Sequence, residues 1–149
     1  YPLITRTMTT GLVGVNVIPP QPTIKAHTAE ACSFSKRKFT PCGSVGVMTY
    51  NICENIQNKS NKCLAIMFSV PFDYTYYDNW FGVRILKNDE ACNQDLFNKL
   101  YYNVEYGFGR KKALEGMISY SGEGIEINAV MSNAAECILK LEIWNENIN

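Results

Sequence analysis

What this sequence lacks narrows it first. Charge of one sign is absent: 14 lysines and arginines balance 14 aspartates and glutamates over 149 residues. That leaves no electrostatic footprint for a nucleic acid, and none is expected as a partner. No stretch approaches the ~20 apolar residues that a helix needs to cross a bilayer, and no signal peptide is visible. The chain begins at Tyr1 rather than Met, which reads as a processed chain or a fragment. Histidine is nearly missing. His27 stands alone and no Cys-x-x-Cys occurs, so zinc is a poor reading and neither metal nor cofactor is expected. The same scarcity weighs against an enzyme. Cys–His catalysis would need His27 beside one cysteine. Asp73 and Asp78 are the carboxylates that invite a paired acid–base reading. No catalytic residue is expected from either.

What is there describes a globular chain. An apolar content of 46% is ordinary for a packed protein, and the length suits one domain over residues 1–149. The two basic runs, Lys36-Arg37-Lys38 and Arg110-Lys111-Lys112, read as solvated loops. Six cysteines, at 32, 42, 53, 63, 92 and 137, suggest disulfides and an oxidising, secretory setting. Cys53 and Cys63 bracket a polar stretch between two apolar runs, which makes Cys53–Cys63 a candidate. Cys32–Cys42 is a second, leaving Cys92–Cys137, although the count alone fixes no pairing. Asn58-Lys59-Ser60 in the same stretch is a glycosylation sequon.

Patterning indicates β-structure. Residues 1–31 read as irregular, with a short strand from Thr7 to Val17 that Pro19, Pro20 and Pro22 terminate. Ser44–Tyr50 alternates, and Lys62–Val70 is a continuous apolar run suited to a strand buried on both faces. A further strand is expected over Gly82–Leu86. Leu96 and Leu100, like Phe97 and Tyr101, are four apart, which predicts a helix within 90–103 capped by Asp89 or Asn93. Three more strands are expected over Ala113–Tyr120, Ile125–Val130 and Cys137–Trp144. Short strands at regular spacing with one helix give an all-β sandwich with a flanking short helix.

The aromatics are unevenly placed. Seven lie between Phe68 and Phe81 and five between Phe97 and Phe108. Phe68, Phe72 and Phe81 read as core. Tyr74, Tyr76, Tyr77 and Trp80 share a polar loop with Asp73, Thr75, Asp78 and Asn79. Tyr and Trp gathered on a surface suit a membrane interface, where the ring is half-buried and its polar end stays wet. A cage of such rings also suits a quaternary ammonium, which has no N–H to donate.

The stretch Phe68-Ser-Val-Pro-Phe-Asp-Tyr-Thr-Tyr-Tyr-Asp-Asn-Trp-Phe-Gly-Val-Arg84 resembles the signature of the actinoporins. Gly43–Tyr50, Leu100-Tyr-Tyr-Asn103 and the segment from Met131 to Ile143 follow the family in order and spacing. The resemblance implies an actinoporin-like β-sandwich. It implies binding of sphingomyelin or other phosphocholine lipids, oligomerisation, and an amphipathic N-terminal helix that lines a pore. It places the phosphocholine site on Val45, Ser69, Pro71, Tyr77, Trp80, Tyr101 and Tyr102, with Tyr76 and Trp80 as membrane-contact aromatics. Phe97 stands where the family has a tyrosine. The cysteines, the Pro-Pro-Gln-Pro segment and Ala31-Cys-Ser-Phe resemble the actinoporin-like proteins of vertebrates and other animals. Tyr1 to Thr10 contains Pro2, several threonines and no helical stripe. The amphipathic helix is therefore expected to be absent and pore formation doubtful. A sheet edge exposed by missing opening strands would call for a second copy or another partner chain to cover it. The expected setting is secretion and action at a target cell membrane. A non-perforating, lectin-like or defence module on the same fold, with a glycan as ligand, is the alternative.

Overall fold

Strand β6 (Lys59–Val70) shows most directly how this sequence folds. Its residues Cys63 to Phe68 are all buried, so both faces of the strand must be covered. A second sheet covers one face and a helix the other. The computed structural model describes residues 3–13, 15–18, 23–25, 28–35, 44–53, 59–71, 78–87, 92–102, 110–122, 124–133 and 136–145. In chain order the other strands are β1 (Leu3–Val13), β2 (Val15–Ile18), β3 (Thr23–Lys25), β4 (Thr28–Ser35), β5 (Ser44–Cys53), β7 (Trp80–Lys87), β8 (Lys111–Lys112), β9 (Ile118–Gly122), β10 (Ile125–Met131) and β11 (Glu136–Asn145). The helix is α1 (Gln94–Tyr102). One sheet runs β3-β1-β5-β6-β7-β8 and the other β2-β4-β11-β10-β9. Every pairing is antiparallel.

Alternation along each strand sets the layers. Met48, Tyr50, Ile52, Leu64, Ile66, Phe68, Phe81 and Ile85 from the first sheet meet Ile125, Ile127, Leu139, Leu141 and Ile143 from the second. This is the sandwich core. On the opposite face of the first sheet, Val47, Ala65 and Met67 meet Cys92, Leu96 and Leu100. The leucines are the buried stripe expected of a helix lying on a sheet. Asn93 starts the helix: its Oδ1 accepts from Leu96 N at 3.0 Å, which selects it over Asp89 as the cap.

Three readings of the sequence are corrected. Most of residues 1–31 is strand rather than irregular chain, because these segments pair at long range. β1 lies along β5, and β4 follows β11 from Thr28↔Ile143 to Ser35↔Glu136. β1 flanks β5, and the short strands β3, β8, β2 and β9 end the two sheets. Ala113–Tyr120 is not one strand. A 3-10 turn occupies Ala113–Glu115, and Gly116 at φ +100° breaks the chain before β9.

The cysteine pairings are the third correction. Cys53–Cys63 does not form. In register Cys53 faces Lys59 and Cys63 faces Asn51, and the Cys63 thiol lies 3.5 Å from Lys87 O. Cys92–Cys137 does not form either. Cys92 lies beneath α1, with its thiol 3.6 Å from Val47 O, whereas Cys137 lies inside the sandwich. The first sheet separates them. The Cys42 end of Cys32–Cys42, and Asn58, lie outside the described residues.

Candidate functional site

One row of the first sheet gathers three of the residues singled out from sequence. Val45 faces Ser69 across β5–β6, Ser69 faces Trp80 across β6–β7, and Trp80 faces Lys112 across β7–β8. Directly opposed residues of an antiparallel pair project to the same face. Here that is the face covered further along by α1. Val45, Ser69 and Trp80 are each only partly buried, as is Pro71, which follows the last residue of β6. The row therefore marks the place where the helix stops covering the sheet.

The last turn of α1 supplies the other side. Leu96 and Leu100 face the sheet, so their neighbours Phe97 and Tyr101 flank the buried stripe. Their rings stack at 5.5 Å with an interplanar angle of 14°. Tyr102 then meets Tyr101 edge to face at 4.7 Å and 75°, yet remains 67% exposed. Such pairs contribute about 0.5–1.5 kcal/mol beyond area burial, enough to hold an exposed ring in place. Tyr76 and Tyr77 lie outside the described residues.

Trp80 is positioned from below by a residue that sequence patterning had assigned to the polar loop. Asn79 is fully buried. Its Nδ2 donates to Ser132 O at 2.9 Å, and its own carbonyl accepts from Ala113 N at 2.9 Å. One side chain and its backbone thus join the start of β7, the 3-10 turn and the β10–β11 connection. No local pattern reveals this, because both partners are distant in sequence.

Four further residues emerge only in the structure. The guanidinium carbon of Arg110 lies 3.9 Å from the centre of the Trp80 ring and 4.2 Å from that of Tyr101. The ammonium of Lys112 lies 5.4 Å from Trp80 and 3.3 Å from the Asp78 carboxylate. The basic run read as a solvated loop is therefore part of the aromatic cluster. Leu114 and Met117, 74% and 50% exposed, follow Lys112 in the chain. Their signal in the sequence was hidden by the expected strand over 113–120.

Among the described residues no three His, Cys, Asp or Glu side chains converge on a metal-sized site, and no helix is long and apolar enough to cross a membrane. What the arrangement can do is present half-buried rings with cations beside them at one end of a sheet. That chemistry suits an amphipathic, charged-headgroup surface.

Residues 14–145 match the family model described as sea anemone cytotoxic protein. DELTA-actitoxin-Aeq1a of Actinia equina is 31% identical over 101 residues, covering 68% of this chain and 43% of that toxin. DELTA-stichotoxin-Hcr4a of Radianthus crispa is 30% identical over 105 residues, covering 68% and 52%. DELTA-stichotoxin-Hcr4b of the same animal is 28% identical over 145 residues, covering 93% and 70%. The first of these matches thus spans less than half of its relative.

Proposed function

The chain belongs to the sea anemone cytotoxic protein family, and from that premise we propose that it docks on membranes through phosphocholine headgroups, sphingomyelin among them. The binding residues are Val45, Ser69, Pro71, Trp80, Tyr101 and Tyr102, and the proposal extends to Tyr76 and Tyr77, which lie outside the described residues. The observation that carries the reading is Tyr102. A tyrosine kept two-thirds exposed beside Tyr101, at the rim where helix cover ends, is best explained by an interface that wets its hydroxyl and buries its ring. The role is one of binding rather than catalysis, and its setting is outside the producing cell, on a target membrane.

Residues 3–13 support a narrower statement about perforation. They form a strand that pairs with β5 from Leu3 to Val13, so they are committed to the sheet. We infer that the 149-residue chain binds without opening a pore through this segment. Association of several copies on the membrane is part of the proposal. Co-sedimentation with phosphatidylcholine vesicles, with and without sphingomyelin, tests the docking. Stronger binding to the sphingomyelin vesicles with background dye release is expected. Equal binding to both removes the sphingomyelin preference, and strong dye release refutes the inference about residues 3–13. Glycan binding without lipid binding would replace this reading with a lectin-like one.

A further inference from the structure

A cage of rings in a headgroup site would ordinarily be open to a cation from outside. Here two of the rings already hold one. The Arg110 guanidinium is shared by Trp80 and Tyr101, at 3.9 and 4.2 Å from their centres. Both distances are those of a guanidinium lying against an aromatic face, within the ~6 Å over which a cation and a ring attract. The neighbouring cations are differently engaged. Lys112 is paired with Asp78 at 3.3 Å, and Lys111 Nζ donates to Met117 O at 3.0 Å. Among the described residues no carboxylate is paired with Arg110. Its N–H groups lie in the guanidinium plane, so rings on its faces leave the edge available to an acceptor.

We propose that Arg110 is the phosphate-binding group of this docking surface. Trp80 and Tyr101 fix the guanidinium, and its N–H edge takes the phosphate of a lipid headgroup through charge-assisted hydrogen bonds. The proposal rests on the docking reading above and sharpens its chemistry. Phosphate is read first. The trimethylammonium group is left to the outer ring, Tyr102, because Trp80 and Tyr101 already serve the protein's own cation.

The test compares wild type, R110Q and R110K in co-sedimentation with vesicles of phosphatidylcholine alone and of phosphatidylcholine with phosphatidylglycerol. R110Q is expected to weaken binding to both by about tenfold or more, and R110K to restore only part, because an ammonium lacks the planar fork. Matching thermal melts for the three proteins separate this from misfolding. In competition on wild type, phosphocholine should displace the vesicles where choline at the same concentration does not. Unchanged or tighter binding by R110Q, full recovery by R110K, or equal competition by choline overturns the role of Arg110. Failure of wild type to bind either vesicle instead overturns the docking reading, and the proposal with it.

Discussion

The two faces of β6 begin alike and end differently. Toward the second sheet, Ile66, Phe68 and Val70 are buried to the last residue of the strand. Toward α1, Ala65 and Met67 are buried, but Ser69 and then Pro71 are only partly so. The sandwich face of β6 is buried to its end, covered by the second sheet. The helix face is covered by nine residues of α1 and opens where Tyr101 and Tyr102 end that helix. Function is assigned to the half of one face that runs out of cover.

The contrast can be broken by substitution, the largest effect coming first. Phe68→Ala removes a fully buried ring from the sandwich and should cost about 3–5 kcal/mol in denaturant unfolding. Vesicle affinity of the remaining folded protein should be little changed. Asn79→Ala should cost about 1–3 kcal/mol, since it leaves Ser132 O without its buried donor. It should also weaken vesicle binding, because Trp80 loses its anchor. That double effect distinguishes a residue on the boundary from one in either region. Trp80→Ala should lower vesicle affinity by about tenfold or more, as expected for an aromatic anchor. Its cost in stability should be smaller than that of Phe68→Ala. Ser69→Ala, one residue from Phe68 on the opposite face, is the smallest perturbation. Stability should stay within about 0.5 kcal/mol, with a fewfold loss of vesicle affinity. A larger loss of stability from Ser69→Ala than from Phe68→Ala would invert the comparison.

How much of this could be read from sequence depended on how local the cause was. The double burial of β6 was legible because six consecutive apolar-leaning residues admit few other readings. The helix was legible from Leu96 and Leu100, and Asn93 was among its anticipated caps. Val45, Ser69 and Trp80 were each proposed through resemblance to the family. Their alignment in one row is a property of register, which requires three strands to be paired. The N-terminal strands carried weak propensity, and their formation depends on β5 and β11. Gly116 offered a break within Ala113–Tyr120, but the apolar residues around it favoured a continuous strand. Arg110 was hidden for the opposite reason. Three basic residues in a row look solvated until Trp80, thirty positions earlier, is placed beneath the first of them. Two of the cysteine pairings were misread by counting: an even number suggests pairing, but Cys63, Cys92 and Cys137 serve as small buried residues.

The chain's two tryptophans give the central claim a direct measurement with its own control. Trp80 stands at the open margin. Trp144 lies near the end of β11, six residues beyond Ile138 and so about 20 Å along the strand from the turn that Asn79 holds. W144F leaves Trp80 as the only tryptophan, and W80F leaves Trp144. Each is titrated with sphingomyelin–phosphatidylcholine vesicles carrying brominated acyl chains. Trp80 emission is expected to shift to the blue and be quenched, while Trp144 emission stays unchanged. Bound protein in which Trp80 does not respond, or in which Trp144 is the one quenched, would contradict docking through this surface.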